Sequence, residues 1–396
     1  MLSSRNLISI FLLAILPVAL AQTFTTCNPL NTTGCPTDPA LGTNVTFNWN
    51  SSSKVDTKVW NATGGGTLAY NDDQEAAAQF VIQHQLDSPT ITSSFYILFG
   101  RVSVIMRAAT GTGIVSSIVL ESDDLDEIDW EFLGGNHTHA ETNFFGKGNT
   151  TAYDRATWHT LPNNAAPQDD FHNYTIVWNK DKLQWLIDDQ EVRTLPYDDK
   201  LALGGKNYPQ TPMTLKLGIW AGGDPSENEP GVVDWAGGHT DYTLGPFTMY
   251  VKSTEVVDFT TGASEYAYGD MTGSWESIKV TNGTAPVVDR IRNPPKSLYE
   301  KATSLSHSAK AGIAIGAVAF AGLCVLGLAV CCIVQRRKGR KEKWQADKEF
   351  EKNKQELDEF RAEAQALGLG QGQFTGQPRE VKKSPLARIS HRFSRF

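Results

Sequence analysis

The run Asp126-Glu127-Ile128-Asp129-Trp130-Glu131-Phe132-Leu133 alternates carboxylates with large apolar side chains. Alternation with period two is a strand pattern, and residues i, i+2 and i+4 of a strand share one face. Glu127, Asp129 and Glu131 therefore point one way, while Ile128, Trp130 and Phe132 point into a core. Three acidic side chains in a row repel one another and serve no purpose in an ordinary solvated strand, where Lys or Thr would intervene. A glycosidase has a use for them: one carboxylate attacks the sugar and one carboxylic acid protonates the leaving oxygen. The spacing makes a demand. Four strand steps of ~3.3 Å put the Cα atoms of Glu127 and Glu131 ~13 Å apart, whereas a retaining pair holds its carboxyl groups about 5–5.5 Å apart. A curved strand with two long side chains leaning together closes that gap. Asp129 between them hydrogen-bonds to the nucleophile, and mutual repulsion keeps one carboxyl protonated, so the three titrate as a coupled set. The residues alone leave open which glutamate plays which part. A Ca²⁺ site or a plain solvated face is the competing reading, but calcium loops draw Asp, Asn and Gly from turns.

A strand carrying this chemistry needs a sheet around it. Between Ala21 and about Asn282 no long 3.6-residue period occurs. Phe95–Ala108, Ile114–Glu121 and Asp126–Leu133 read as successive strands, with Ser122-Asp123-Asp124 as a turn. Tyr174–Trp178 and Leu183–Ile187 flank Asn179-Lys180-Asp181-Lys182 as a hairpin, with Ile176 and Trp178 facing Leu183, Trp185 and Ile187. Met213–Trp220 and Phe247–Phe259 add two more. Many short strands with frequent turns predict an all-β sandwich or jelly roll. Trp130, Trp178 and Trp185 are expected in its core. Trp220 and Trp235 fall in Gly-rich stretches where a large ring is hard to bury, and a flat indole suits a sugar face, so both are read as substrate contacts. His137 and His139 resemble a metal pair, but no further ligand cluster accompanies them and they are read as loop histidines. No metal and no cofactor is expected. Gly111-Thr112-Gly113 follows a strand but opens no helix, which excludes a dinucleotide loop.

Two apolar segments set the topology. Residues 1–21 carry one Arg, the apolar run Leu7–Leu16 and then Ala19-Leu20-Ala21, the pattern of a cleaved secretory signal. Ala311–Val334 is 24 residues without a charge, longer than the roughly 20 a bilayer helix needs. The cluster Arg336-Arg337-Lys338-Gly339-Arg340-Lys341 behind it belongs on the cytoplasmic side. The expected order is signal 1–21, catalytic domain 22–283, polar stalk 284–310, membrane helix 311–334 and basic tail 335–396, helical to about Leu367 and then disordered. Gln22–Val334 has a net charge of −16 and the tail +7; an acidic body excludes a nucleic-acid binder, which needs Lys and Arg for phosphates. Cys27 and Cys35, the only cysteines before the span, predict one disulfide in an oxidising compartment. Eight sequons, at Asn31, Asn44, Asn50, Asn61, Asn136, Asn149, Asn173 and Asn282, all precede the span and are candidate glycosylation sites. Cys331 and Cys332 beside the basic cluster are palmitoylation candidates, and the Lys/Arg-rich end with Ser384, Ser390 and Ser394 a lipid-facing patch. No protein partner is legible.

Glu127-Ile128-Asp129-Trp130-Glu131-Phe132 resembles the E-x-D-x-E motif of glycoside hydrolase family 16, whose domains are concanavalin-like β-jelly rolls. Together with Gly218-Ile219-Trp220-Ala221-Gly222-Gly223-Asp224-Pro225 and Val233-Asp234-Trp235-Ala236-Gly237-Gly238, it resembles the fungal Crh branch. That resemblance covers roughly Gln22–Gly273. It implies a cell-wall transglycosylase joining chitin to β-glucan, with Glu127 as nucleophile, Asp129 as its assistant and Glu131 as general acid/base in contact with substrate. It further implies that Trp220 is a stacking platform beside the cleaved bond and Lys216 its polar partner. Where the family often has Thr after Pro-Gly, Val232 follows Pro230-Gly231, and one hydrogen bond to donor sugar is missing or made elsewhere.

A transferase must hold a sugar hydroxyl in attack geometry and keep water badly placed, since water is always the more concentrated nucleophile. Asn143–Gly148 and Trp158–Pro162 are candidate acceptor segments, Asn143 foremost. A retaining endo-hydrolase of the same fold, a carbohydrate-binding lectin and a surface adhesin working through its tail are the alternatives.

Overall fold

The computed structural model describes residues 25–50, 56–71, 76–151, 155–294 and 303–367. The signal segment 1–21, part of the stalk and the basic C-terminal end lie outside them. The chain divides into two units, 1–295 and 296–396.

The first unit is the expected two-sheet β-jelly roll. Among the described residues, one sheet runs Thr157–Thr160, His139–Phe145, Glu127–Leu133, Ile114–Ser122, Met213–Ala221, Thr90–Ser93 and Trp60–Thr63, every pair antiparallel. The second runs Gln190–Pro196, Lys182–Ile187, His172–Trp178, Gly100–Arg107, Phe247–Asp258, Ala77–Ile82 and Thr67–Asn71, with Asn44–Asn48 also paired to Phe247–Asp258. The hairpin register joins Ile176 to Trp185 and Trp178 to Leu183, as the alternation predicts. Trp130, Trp178 and Trp185 are fully buried between the sheets.

The carboxylate strand is held by its apolar face. Ile128, Trp130 and Phe132 have no exposed surface. Phe132 meets Tyr174 edge-on at 4.4 Å and Trp130 meets it at 5.5 Å. Burying one such apolar side chain contributes about 1.5–3 kcal/mol, enough for the strand to tolerate desolvated acids on its other face. The opposite sheet also grips its backbone: the Trp185 indole donates to the Asp129 carbonyl at 3.1 Å.

The turn that feeds this strand is over-determined. Leu125 has φ 64°, a left-handed conformation costly for a branched side chain. It is held because Leu125 N–H donates to the Ser122 carbonyl, Ser122 N–H to the Asp126 carbonyl, and Gly148 N–H to the Leu125 carbonyl. Asp126, first of the acidic run, serves this turn: its carboxylate accepts from the N–H groups of Lys147 and Gln210 and from the Thr211 hydroxyl.

The segment 284–310 differs from the expected stalk at its start. Pro286–Arg292 is a helix with Val287 and Val288 buried and Ile291 packed on the core. Arg290 pairs with Asp56 through two hydrogen bonds. The apolar residues Val287, Val288 and Ile291 are spaced for one helical face, a signal hidden by the surrounding Pro and charges. Cys27 and Cys35 form the expected disulfide, Cα atoms 5.8 Å apart. All eight sequon asparagines occupy exposed or half-buried positions.

The second unit is the helix His307–Ala366, opened by Ser306 accepting from Ala309 N–H. It contains a stretch of mean hydropathy 2.7, long and apolar enough to cross a membrane.

Candidate active site

Pairing registers lay out the site row by row. Glu127, Asp129 and Glu131 share one face of the central strand, and each is opposed on both sides. One row reads Thr214, Glu121, Glu127, Phe145. The next reads Thr92, Lys216, Val119, Asp129, Asn143. The third reads Thr90, Gly218, Ser117, Glu131, Glu141, Trp158. Gly218 is needed there, since a Cβ would meet Thr90 Oγ1 at 2.4 Å. Both ladders flanking the carboxylate strand run residue for residue, without a bulge.

The three acids differ in surroundings. Glu127 and Asp129 are buried, whereas Glu131 is half-buried and reaches the surface. Burial pushes Glu127 up to about 7, against the hydrogen bond from Asp129 and the charges of Lys216 and Arg155, which lower it; Glu121 raises it. Asp129 is held well above the ordinary range by burial, by the Glu127 and Glu131 charges, and by its hydrogen bond to Glu127. The interaction between them lowers Glu127 and raises Asp129. Glu131 is raised by burial, then by Glu141, then by Glu127, and among the described residues no cation offsets these. The three therefore form a coupled set in which cations act on Glu127 and carboxylates on Glu131.

The cations that favour ionised Glu127 are themselves fixed. Lys216 is ion-paired with Glu121. Arg155, almost entirely buried, lies over the Phe145 ring at 4.6 Å and donates to the Asn149 carbonyl. Phe145 is the ladder partner of Glu127.

The aromatic residues stand beside Glu131. The Trp220 indole N–H donates to the Ser117 hydroxyl at 3.2 Å, and Ser117 is the partner of Glu131. Trp235 stacks on Trp220, ring centres 6.0 Å apart and planes 24° apart. Its N–H donates to a Glu141 carboxylate oxygen at 2.8 Å. The Gly-rich surroundings of the two rings are not loops at the rings themselves. Trp220 lies in the strand Met213–Ala221 and Trp235 ends a short helix, Pro230–Trp235; the glycines that suggested loops follow each of them. Both rings stay half-buried because they rest on a small apolar patch of Val115, Leu133 and Ala236.

Residues 56–237 match the family model of glycosyl hydrolases family 16. A Crh-like protein 2 of Botryotinia fuckeliana is 54% identical over 357 residues, 89% of this chain and 77% of its own. The chain belongs to the Crh-like branch of family 16. A Crh-like protein of Arthroderma benhamiae is 49% identical, covering 86% of this chain and 92% of its own. The solved structure of Crh5 transglycosylase in complex with NAG is similar, with 50% identity and a TM-score of 0.59 over 64% of this chain and all of that one. The chain is thus a glycosidase-type enzyme of the Crh-like family.

Of the sequence-predicted residues, Glu127, Asp129, Glu131, Lys216, Trp220, Trp235 and Asn143 share this face or border it. Asn143 is the partner of Asp129, and its side-chain oxygen accepts from Phe144 N–H. Val232 lies in the Trp235 helix, half-buried, and offers a sugar no hydrogen bond. Glu121, Ser117, Glu141 and Arg155 were not legible. Glu141 does alternate with Asn143 in His139–Phe145, but only the register shows it opposite Glu131.

Proposed function

We propose that the chain is a retaining transglycosylase of the cell wall, cleaving chitin and passing it to β-1,3/β-1,6-glucan or chitin acceptors through a covalent glycosyl-enzyme. The observation that carries this is the difference in surroundings of the two glutamates. Glu127 has cations and a hydrogen-bond donor, as a nucleophile requires. Glu131 is surrounded by carboxyls that hold a proton on it, as a general acid requires.

In the first step Glu131 gives its proton to the glycosidic oxygen as Glu127 attacks the anomeric carbon. Asp129 keeps its hydrogen bond to Glu127 and stabilises it as a leaving group for the second step. There Glu131, now a base, takes a proton from a sugar hydroxyl that attacks the anomeric carbon and releases Glu127. Trp220 and Trp235 stack a pyranose beside Glu131, Lys216 orients donor hydroxyls, and Asn143 with Trp158 lies toward the acceptor. Val232 borders the donor subsite as an apolar wall. The name of the Crh5 relative supports transfer over hydrolysis. The apolar stretch of His307–Ala366 supports a single-pass anchor at the cell surface, with the enzyme outside, reached through the secretory route set by 1–21. Glycans at the eight sequons fit that route.

Incubation of the chain with chitin oligosaccharides and a fluorescent β-1,3-glucan oligosaccharide tests the reading. Labelled products longer than the acceptor, absent in Glu127→Gln, are expected. Shortening of chitin alone would mean a hydrolase. Binding without either reaction would leave a carbohydrate-binding protein.

A further inference from the structure

Glu141 is a carboxylate of the site that the mechanism above does not use. It is 1% exposed and directly opposite Glu131 in the ladder. Two acids placed opposite each other on a sheet face are destabilising unless something separates their protonation. Here the separation is structural. Trp235, from the short helix, donates its indole N–H to Glu141 at 2.8 Å. Arg193, from the strand Gln190–Pro196, favours the ionised form of Glu141 by its charge. The Arg193 guanidinium is anchored on the Thr142 carbonyl and hydroxyl, one residue from Glu141, and on the Arg155 carbonyl. From the outer strand the facing residue is Trp158, which has no charge. Among the described residues, Glu131 receives no comparable donor or cation.

We propose that Glu141 is a positioning residue for the reaction: anchored as a carboxylate by Trp235 and Arg193, it faces Glu131 and keeps the transferable proton on Glu131. The inference rests on Glu131 being the acid/base. It adds a link between sugar binding and proton placement, because Trp235 holds Glu141 through its edge while its face stacks on Trp220. A sugar on the aromatic pair that presses Trp235 into place strengthens its hydrogen bond to Glu141, which keeps the negative charge beside Glu131. The surroundings of Glu141 agree: burial raises it to about 7, while Trp235 and Arg193 both act to lower it.

The test uses the full chain in detergent micelles. The pH profile of chitin-oligosaccharide turnover, by transfer or hydrolysis, is compared for the wild type, Glu141→Gln and Glu141→Asp. Gln still accepts from Trp235 but carries no charge. The alkaline limb, where Glu131 loses its proton, is expected to fall by about one pH unit in Glu141→Gln and to recover in Glu141→Asp. An infrared titration of protonated carboxyls reads the same quantity without turnover: the signal lost in Glu131→Gln should titrate lower in Glu141→Gln. An alkaline limb and infrared signal unmoved in Glu141→Gln would overturn the proposal, as would equal shifts in the Gln and Asp variants. Failure of the transglycosylase reading is a separate result, seen as no turnover in the wild type, and the infrared titration then decides on Glu141 alone.

Discussion

The Trp220 indole donates to the Ser117 hydroxyl, and that hydroxyl sits directly across the ladder from Glu131. The proposed sugar platform and the proposed acid/base are therefore set by neighbouring positions of one sheet. Removing the hydroxyl leaves Trp220 in place on Val115 and Ala236 but loosens its tilt. Ser117→Ala should raise KM for chitin oligosaccharides several-fold, about 1 kcal/mol for one neutral hydrogen bond, while kcat changes little. Trp220→Ala should raise KM by at least tenfold. A Ser117→Ala variant that loses kcat with KM unchanged would place the serine in the chemistry instead.

Glu127 and Glu131 should fail differently. Glu127→Gln removes the attacking oxygen, and no donor should restore activity. Glu131→Gln removes only proton transfer, worth about 10²–10⁴-fold in rate. A chitin-oligosaccharide donor whose leaving group departs without protonation should regain its first step in Glu131→Gln and not in Glu127→Gln. Rapid release of such a leaving group by both variants, or by neither, would contradict the assignment.

The motif made the chemistry legible, because strand alternation fixes which residues share a face with their neighbours in sequence. It could not show cross-strand neighbours, which depend on register. That is why Glu127, Asp129 and Glu131 were readable and Glu121, Ser117 and Glu141 were not. Trp220 was found by its residue type; it lies in the strand Met213–Ala221, and the turn at Gly222-Gly223 begins only after that strand ends. The jelly roll itself was readable from short alternating runs. The helix Pro286–Arg292 was not, since three apolar residues among seven are too few to be distinguished from a stalk.

Lys216 gives a pH prediction. Its charge lowers Glu127, which burial otherwise raises to about 7. As the proposed nucleophile, Glu127 works ionised, so the acidic limb of kcat/KM should follow it. Lys216→Met removes the cation, Glu127 ionises later, and the limb should move to higher pH. Initial rates across the pH range check this. A limb that stays put, with only KM altered, would confine Lys216 to sugar binding.

Asp38 predicts how stability varies with pH. It is buried, and burial followed by the charges of Asp123 and Asp124 raises it from 3.8 to about 8. A carboxyl raised in the folded state binds its proton more tightly there. Its contribution is complete below pH 3.8 and is lost as pH rises through about 8. Asp38→Asn keeps the shape and cannot ionise. Its melting temperature should exceed that of the wild type by several degrees at about pH 8 and by much less at about pH 5. A difference independent of pH would mean that Asp38 is paired in a way its burial does not show.

The end of the catalytic body is the last point open to direct test. A chain cut after Asn282 loses the helix Pro286–Arg292, which buries Val287 and Val288 and places Arg290 on Asp56. Two buried valines contribute about 1.5–3 kcal/mol each, and the partly exposed Arg290–Asp56 pair adds under about 1 kcal/mol. Residues 22–294 should therefore melt well above residues 22–282, by about 5 °C or more for a domain of this size. The active-site face lies in the other sheet strands, so the shorter form should keep its KM while folded. Arg290→Ala in the longer form should reproduce only a small part of the difference. Equal melting temperatures for the two forms would return 286–292 to the stalk.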